Sequence, residues 1–534
     1  MKFLQSLQHR SVESAQAPAL QVLESDGSRW VTWFELNQRV HETAILLHNL
    51  GVVSGNRVGI LAENSLDWIL IDLACHYLHA VSVPLNPDLS SSQLQYQMKH
   101  SGMSLLFASE CQFGKLGKQN MIPVVVINHT PSSQEACPDF VMGTLQAMLT
   151  VASRKESELR IPPAKSDRIA SIMYTSGTTG EAKGVMLTED NLLFNARMAW
   201  QRYQFNSATH QFNFLPFFHA FGRTCDLYVW LEGGHLLTLA SSRQQAASEV
   251  GQVAPSHING VPYFFEKLTT LCSNSESIEQ VLGKKLTQIN SGGATLDRQV
   301  FDFYDSRSIA VLEGYGLTET SPVATLTGRD DVRYGSVGRT LDETQVKLSE
   351  ANEVLIKGRH VCAGYYRDAE ASAELISDGW LKSGDLGRLD EDQFLYLTGR
   401  RNELIVTTGG HNVWPQAIET CLQEHDAIEQ AVIFGNGQKY LVAILFPNWE
   451  YFAEQVDISG TSDHWKDSPN VENWFMQIVK LQLKSRACYE QVARLHLLSQ
   501  PLSTDQQQLT TKGNLRRSAI KEQLTDVLDG LYTS

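Results

Sequence analysis

A short run of hydroxylated residues and glycines is the part of the sequence best suited to bind phosphate. It comprises Thr175, Ser176, Gly177, Thr178, Thr179 and Gly180, with Lys183 shortly after it. Glycines let the backbone approach a ligand closely, successive backbone N–H groups form an anion-binding concavity, and Lys183 adds a positive charge. It is not a Walker A loop, in which a lysine directly follows the last glycine. We predict a phosphate-binding loop, and the alternative for this composition is a surface turn.

A second chemical motif runs from Glu313 to Thr320, with the sequence EGYGLTET. Tyr315 can stack on a purine, a contact that contributes about 1–3 kcal/mol in nucleic-acid complexes. Thr318 can donate a hydrogen bond to an α-phosphate. Glu319 can bind Mg²⁺, which takes one or two carboxylates together with substrate phosphates. In isolation the motif could also be a glycine-rich turn with an exposed glutamate.

Both motifs resemble signature sequences of the adenylate-forming superfamily, which includes acyl-CoA synthetases, luciferases and nonribosomal-peptide adenylation domains. The resemblance rests on YTSGTTGEAKG at 174–184 and on YGLTE at 315–319, which contains Gly316. It implies that the first loop holds the β- and γ-phosphates of ATP. It further implies that the second motif meets the adenine, the α-phosphate and Mg²⁺.

Two other segments extend this resemblance. LPFFHAFG at 215–222 is similar to the family segment that lines the carboxylate pocket, which makes His219 a candidate for positioning the acid and Phe217, Phe218 and Phe221 candidates for its walls. Without the resemblance, a histidine in an aromatic run is more often a packed residue. SGGA at 291–294 resembles the segment that packs against adenine, and so implies contacts from Gly292, Gly293 and Ala294.

The ribose-binding residues are implied by resemblance further along the chain. SGD at 383–385 is similar to the family sequence TGD, with Ser383 in place of the threonine. Asp385 would then accept hydrogen bonds from both ribose hydroxyls, and Arg400 would also reach the ribose. The family hinge between domains falls at Asn402, where Asp or Lys is usual, and asparagine tolerates the unusual backbone angles of a hinge.

The segment 408–419, TGGHNVWPQAIE, resembles the loop that serves the second half-reaction, with His411 and Asn412 as its polar members. The last motif departs from the family. Aligned on Gly513, Leu515 and Arg517, Asn514 occupies the usual lysine position, and Lys512 lies two residues earlier. In an extended chain these two side chains point the same way about 7 Å apart, so Lys512 is our candidate for the missing lysine. The alternative is that Lys512 is only a solvated charge on a loop. Loss of one positioned group that stabilises the transition state lowers the rate about 10²–10³-fold.

Composition limits the class of protein. A chain of 534 residues is too long for one ordinary core and predicts two or more domains. The net charge of −15 argues against a nucleic-acid partner. The eight cysteines form no CxxC pair, so neither a zinc site nor a disulfide framework is expected, and a reducing cytoplasm fits. No signal peptide or membrane span is expected, while peripheral membrane contact stays open.

The elements that must position these motifs follow from hydrophobic patterning. Thr32 and Glu35 form a capping-box pattern that starts a helix to Leu50, and Thr188 begins another. Short apolar runs at 80–84, 124–127 and 169–174 predict buried strands, which with intervening helices favour a parallel α/β sheet. Asn436-Gly437 predicts a hairpin between strands at 430–435 and 440–446. Glycine-punctuated β structure is expected at 334–338 and 358–366.

The predicted architecture is α/β. A large N-terminal domain, residues 1–400, consists of stacked α/β layers plus a β-subdomain, and a small mobile C-terminal α/β domain spans residues 401–534. The resemblance implies a ligase that activates a carboxylic acid with ATP and Mg²⁺ and passes it to a thiol. It is nearest to medium- or long-chain fatty acyl-CoA synthetases, so a fatty acid and coenzyme A are expected. Alternatives are an aryl acid, the phosphopantetheine of a carrier protein as acceptor, and a catalytically impaired AMP- or acyl-binding protein because of Asn514.

Overall fold

The computed structural model describes the chain outside residues 1, 25–26, 118–119, 129–137, 139, 153–166, 176–180, 276, 410, 457–464, 504, 510–514 and 534. The predictions for Ser176 to Gly180, Lys512 and Asn514 therefore lie outside the described residues.

A seven-stranded sheet carries the strand that leads into the phosphate motif. Its strands, in spatial order, are Val141–Thr144, Val124–Val126, Leu105–Ala108, Arg57–Leu61, Val81–Pro84, Ile169–Thr175 and Lys183–Thr188. Every pair is parallel except the last, which is antiparallel. The predicted strands at 80–84, 124–127 and 169–174 are confirmed. Strands buried on both faces read as continuous apolar runs, which is why sequence could find them.

A nine-stranded sheet carries the two motifs predicted to contact adenine, SGGA at 291–294 and YGLTE at 315–319. In spatial order its strands are Arg339–Thr340, Val323–Leu326, Ala310–Gly316, Gln288–Gly292, His257–Gly260, His210–Asn213, Leu236–Leu239, Pro18–Glu24 and Gly27–Thr32. The inner strands run parallel and the end pairs are antiparallel. Parallel strands end at one edge, so the segments that follow Asn213, Gly292 and Gly316 begin at the same edge of the sheet.

Helices cover these sheets, and several begin where sequence predicted. Thr32 caps the helix Trp33–Asn49 in a capping box with Glu35, and Thr188 caps Glu189–Tyr203. The other helices of this part are Lys2–Glu13, Leu66–Tyr77, Ser91–Ser101, Phe113–Leu116, Leu145–Ala152, Val229–Gly233, Ala246–Val253, Pro262–Ser273, Ile278–Leu282, Arg298–Asp305 and Ala369–Leu375, with a π-helix at Gly222–Tyr228. One continuous core joins Ile60 and Phe107 of the first sheet to Leu237 and Leu312 of the second. The layers are therefore stacked, as predicted.

A five-stranded sheet forms the predicted β-subdomain. Its strands are Gln345–Leu348, Glu353–Lys357, Ile376–Ser377, Trp380–Leu389 and Leu395–Arg400. The β structure predicted for 334–338 and 358–366 is wrong: both segments are turns, apart from an isolated bridge at Tyr365. Glycines in these segments serve turns, since Gly335 and Gly338 have φ of 77° and 83°.

The chain divides into two compact units. The first comprises Met1–Lys347 and Leu355–Ser383, and the second comprises Leu348–Val354 and Gly384–Ser534. The second unit contains a three-stranded sheet, Ile428–Phe434, Leu441–Pro447 and Val492–Leu497, and a small hairpin, Ile405–Val406 with Asn412–Val413. The hairpin predicted through Asn436-Gly437 is confirmed, whereas the third strand was not predicted. Its helices are Pro415–Gln423, Trp449–Val456, Pro469–Gln482, Arg517–Gln523 and Thr525–Thr533. The domain boundary at 400/401 and the mobility of the small domain stay predictions.

Within the described ranges, no helix combines the length and the apolar character needed to cross a membrane. The seven cysteines of these ranges are free thiols.

Candidate active site

The ends of the phosphate motif are held side by side. The strands Ile169–Thr175 and Lys183–Thr188 are antiparallel, with Thr175 opposite Lys183 and Tyr174 opposite Gly184. Burial of Ile172 and Met173 on this strand anchors it in the sheet. Residues 176–180 thus connect two paired strands, and Lys183 lies at the base of that connection.

The second motif is fixed by a short 3₁₀ turn, Thr318–Thr320. The backbone N–H of Leu317 donates to Thr320 Oγ1 at 2.8 Å, and a Cβ at Gly316 would collide with the carbonyl oxygen of Pro322. The Glu319 carbonyl accepts from the Cys362 N–H at 2.8 Å. These bonds set the direction in which Thr318 and Glu319 leave the sheet edge.

Tyr365 joins the two motifs. Its hydroxyl donates to Glu319 Oε1 at 2.9 Å, and Lys183 Nζ lies 4.9 Å from the centre of its ring. The phosphate-motif lysine and the predicted metal ligand are therefore neighbours of one side chain. Sequence reasoning treated 358–366 as scaffold and missed this residue, because its contacts come from pairing across the fold.

The residues predicted to contact adenine lie together at the edge of the nine-stranded sheet. Gly292 is opposite Gly314, one residue before Tyr315, which is buried. Gly293 and Ala294 are exposed beyond the strand end, and Gly293 has φ of 88°. The strand Gln288–Gly292 ends within this SGGA segment.

The His219 segment reaches the same place. Phe221 packs over Gly292, where an added Cβ would meet its ring at 3.2 Å. Gly222 packs against the backbone of Leu215 and Pro216, where an added Cβ would lie 2.6 Å from the Pro216 carbonyl oxygen. Phe217 instead packs against Trp68, with ring centres 5.2 Å apart, and is fully buried in the core. Phe221 thus lies at the predicted site, His219 is half-buried two residues before it, and Phe217 packs in the core.

Buried polar contacts hold this segment in place. Asn64 accepts from the Phe217 N–H at 2.8 Å and donates to the Leu215 carbonyl at 2.8 Å. Arg223, in the π-helix, is fully buried, pairs with Asp72 and donates to Ser171 Oγ at 2.7 Å. Ser171 belongs to the strand that leads to Thr175. Neither Asn64 nor Arg223 was predicted, since each acts on residues far away in sequence.

Glu313 is a further residue that sequence reasoning quoted without a role. It lies two residues before Tyr315 on one strand, so both side chains point to the same face. Burial raises the pKa of Glu313 to about 7, against backbone hydrogen bonds from Leu296 and Gly335. Its Oε1 and the Oγ of the opposite Ser291 are buried with no hydrogen-bond partner among the described residues. Buried polar atoms of this kind call for a ligand or water partner.

In the second unit, Asp385 and Arg400 lie opposite each other on paired strands. Arg400 Nε is 3.1 Å from Asp385 Oδ1, and Asp385 is buried while about half of the Arg400 side chain is exposed. Gly384, with φ of 72°, donates its N–H to Glu353 Oε1 at 3.1 Å. The two predicted ribose residues therefore form one ion-paired group.

Two loops of the second unit carry the remaining predicted residues. His411 closes the small hairpin, where its carbonyl accepts from the Thr407 N–H at 3.0 Å. Its ring stacks on Tyr489 with centres 4.5 Å apart and planes inclined by 7°. The segment with Lys512 and Asn514 is closed at its base by a bridge between Leu509 and Leu515.

Glu319 is the carboxylate predicted to bind a metal ion. Within the described ranges no group of three or more His, Cys, Asp or Glu could hold a metal on its own. Glu319 is partly exposed and its Oε2 has no hydrogen-bond partner among those residues. A single carboxylate fits Mg²⁺ that also binds substrate phosphates, and does not fit a closed structural metal site.

Two family models match most of the sequence. The AMP-binding enzyme family matches residues 7–366, and the AMP-binding enzyme C-terminal domain matches residues 402–534. The chain is 25% identical to the long-chain-fatty-acid–CoA ligase FadD15 of Mycobacterium bovis, covering 94% of this chain and 92% of that protein. It is 30% identical to 2-succinylbenzoate–CoA ligase of Oceanobacillus iheyensis, covering 79% of this chain and 84% of that protein.

The fold is also similar to that of o-succinylbenzoate coenzyme A synthetase from Bacillus subtilis, solved with ATP and a magnesium ion. The TM-score is 0.74 at 22% identity, and the match covers 97% of this chain and 99% of that one. Fold and motifs define an adenylate-forming ligase, an enzyme that joins an acid to a thiol and releases AMP. The chain belongs to the AMP-binding enzyme family.

Proposed function

We propose that this ligase activates a fatty acid and transfers it to coenzyme A. In the first step a carboxylate oxygen attacks the α-phosphorus of ATP, the bond to the β-phosphate oxygen breaks, and pyrophosphate leaves. In the second step the thiol sulfur attacks the acyl carbon, the bond to the AMP oxygen breaks, and the thiol proton is lost. Both steps depend on positioning and charge stabilisation, so no protein nucleophile is required.

The observation that carries this proposal is an unbroken series of contacts through the first unit. Phe221 packs on Gly292, Gly292 lies opposite Gly314, and the same strand leads to Thr318 and Glu319. Tyr365 then connects Glu319 to Lys183. This proximity, within one compact unit, of residues suited to bind an acid, a purine and phosphates supports the proposal.

Roles for individual residues follow. We assign the β- and γ-phosphates to Lys183 and to the loop from Thr175 to Gly180, and the α-phosphate to Thr318. Tyr315, Gly316 and the ledge Gly292, Gly293 and Ala294 would enclose adenine, with Glu313 accepting from its amino group. His219 would position the acid. Asp385 and Arg400 would bind the ribose, and Lys512 would meet the carboxylate and the α-phosphate.

Glu319 is the residue that would hold Mg²⁺. When bound, the ion neutralises phosphate charge and orients the leaving pyrophosphate. Glu319 keeps its carboxylate turned by the Tyr365 hydrogen bond, while Lys183 supplies a second positive charge that belongs to the protein.

The fatty acid is supported by FadD15, a relative that matches 94% of this chain, and by the segments DGWLKSGDLG and FLYLTGRRNELIVTTGGHNV. An aryl acid is the second candidate. It is favoured by the 2-succinylbenzoate ligase relative and by the flat ring of Phe221 over Gly292, which suits another ring.

Coenzyme A is supported as acceptor by the names of these relatives, and a carrier-protein phosphopantetheine is the alternative. Asn514 motivates a third possibility, an impaired enzyme that binds nucleotide without activating an acid.

The test is carboxylate-dependent pyrophosphate release with MgATP and a panel of fatty and aryl acids. We expect release with fatty acids by the wild-type protein and a loss of about 10²–10³ in Lys512→Ala. Equal rates in both proteins would remove Lys512 from the mechanism. No release with any acid, despite tight ATP binding, would favour the impaired enzyme. Thioester formation with coenzyme A or with a pantetheinylated carrier then identifies the acceptor.

A further inference from the structure

We propose that Tyr365 is a positioning residue for the metal ligand, and that its hydroxyl sets the affinity of the site for magnesium-bound ATP. This inference rests on the proposed function, because it takes Glu319 as the ligand. No motif assigned a role to Tyr365.

The contact with Glu319 is direct. The Tyr365 hydroxyl donates to Glu319 Oε1 at 2.9 Å, and this is the hydrogen bond that the Glu319 side chain makes among the described residues. A carboxylate on a short turn has rotational freedom that a ligand must restrict. A hydrogen bond to one oxygen restricts that freedom and leaves Oε2 available to a cation.

The backbone holds Tyr365 rigidly against the phosphate motif. Tyr365 forms a bridge with Val185, and its N–H donates to Ser372 Oγ at 2.8 Å. The next residue, Tyr366, donates its N–H to the Gly184 carbonyl at 2.7 Å. The strand that begins with Lys183 therefore fixes the ring that orients Glu319.

A tyrosine hydroxyl, with an ordinary pKa of about 10, is a neutral hydrogen-bond donor at physiological pH. Lys183 Nζ over the ring is a separate contact that does not use the hydroxyl.

Removing the hydroxyl alone separates these contributions. Tyr365→Phe keeps the ring, its packing and the contact with Lys183, and deletes the donor to Glu319. Tyr366→Phe is the matched control, since its ring lies 5.8 Å from that of His100 and its side chain has no contact with Glu319 or Lys183 in the described structure. Thermal unfolding of each variant would confirm that the fold is retained.

The measurement is ATP binding by calorimetry without any acid, once with excess Mg²⁺ and once with EDTA. We expect Tyr365→Phe to weaken binding of magnesium-bound ATP about tenfold, the usual effect of losing a partner that orients a metal ligand. Binding of metal-free ATP should be unchanged, and Tyr366→Phe should match the wild type in both. A merely structural role would weaken both forms of ATP equally and would overturn the proposal.

A double-mutant cycle with Glu319→Gln tests whether Tyr365 acts through that residue. If it does, Tyr365→Phe has no further effect on the magnesium-dependent part of binding once Glu319 is replaced. Additive losses would contradict the proposal. Failure of the proposed function would be seen differently, as absent pyrophosphate release by wild-type protein that still binds magnesium-bound ATP.

Discussion

The two compact units hold their predicted functional residues in different ways. In the first, residues from several motifs contact one another directly, as Tyr365 does with Glu319 and Lys183. In the second, Asp385 and Arg400 pair with each other on adjacent strands, whereas His411 lies in the turn of the hairpin Ile405–Val406 with Asn412–Val413. The first unit gathers residues of several motifs into one set of contacts, whereas the second holds its predicted residues on a strand pair and in a hairpin turn.

This difference predicts how substitutions should act. A change within the first unit alters a shared set of contacts, so it should affect ATP chemistry strongly. A change to a buried or stacked residue of the second unit should alter either the free energy of unfolding or the rate of one half-reaction. The two half-reactions can be measured separately, because thioester formation from a synthetic acyl-adenylate does not require ATP.

The largest effect is expected from a mostly buried, ion-paired arginine of the second unit. Arg517 is mostly buried, and its guanidinium pairs with Glu419 at 2.5 Å and with Glu403 at 3.6 Å. Arg517→Met would leave two carboxylates without their cation, and breaking a buried ion pair from one side costs about 3–5 kcal/mol. Urea unfolding should show this loss in the free energy of unfolding. The exposed Arg516→Met is the control, and equal stability of both variants would show that the pairs contribute nothing.

Glu319→Gln should have the next largest effect, on the first half-reaction. Loss of the charge proposed to hold Mg²⁺ should lower pyrophosphate release about 100- to 1000-fold, the range for one positioned electrostatic group. Thioester formation from the acyl-adenylate should be nearly unchanged. Comparable losses in both half-reactions would show that the first unit does not separate ATP chemistry from thiol transfer.

Motifs with local geometric requirements could be predicted from sequence. The caps at Thr32 and Thr188 and the turn at Asn436-Gly437 depend on neighbouring residues, and each lies where expected. YGLTE could be read because Gly316 has no space for a side chain beside Pro322. Each of these features is determined by interactions between residues close together in sequence.

Contacts made by pairing across the fold could not be predicted. Tyr365 reaches Glu319 because residues 364–366 pair with the strand Lys183–Thr188, about a third of the chain length away in sequence. Arg223 and Asn64 act in the same way on distant segments. The glycines around Tyr365 suggested β structure, whereas they form turns that position Tyr365 beside Glu319. Sequence alone named the residues expected to touch substrate better than those that position them.

The units should also differ in their response to acid. Burial lowers the pKa of His235 and His257 to about 3 and of His76 and His360 to about 4, all in the first unit. Between pH 6.5 and about 4 these histidines are protonated in the unfolded chain but remain neutral in the folded protein. The free energy of unfolding therefore falls as the pH drops through this range. Asp226 and Glu313, with pKa raised to about 7, oppose this trend but are fewer.

The His360→Leu variant tests this effect. The His360 ring is fully buried and neither ring nitrogen has a hydrogen-bond partner among the described residues. Its replacement should reduce the pH dependence of unfolding by about 1.4 kcal/mol per pH unit between pH 4.5 and 6, with no loss of stability at pH 7. Urea unfolding across this range measures it. An unchanged slope would mean that His360 takes up its proton before the chain unfolds.

The smallest effect is expected from the stack beneath the second-unit hairpin. Tyr489 lies on a segment fixed by Gln491, whose side chain donates to the Leu483 carbonyl at 2.7 Å, so its ring is a firm support for His411. Tyr489→Ala removes this support, and loss of an aromatic pair should lower thioester formation about three- to tenfold. Pyrophosphate release should be unaffected, since the hairpin is assigned to the second half-reaction by resemblance. Tyr489→Phe keeps the stack and should match the wild type. A loss confined to pyrophosphate release would reverse the assignment of the two units, because the loop would then serve adenylation.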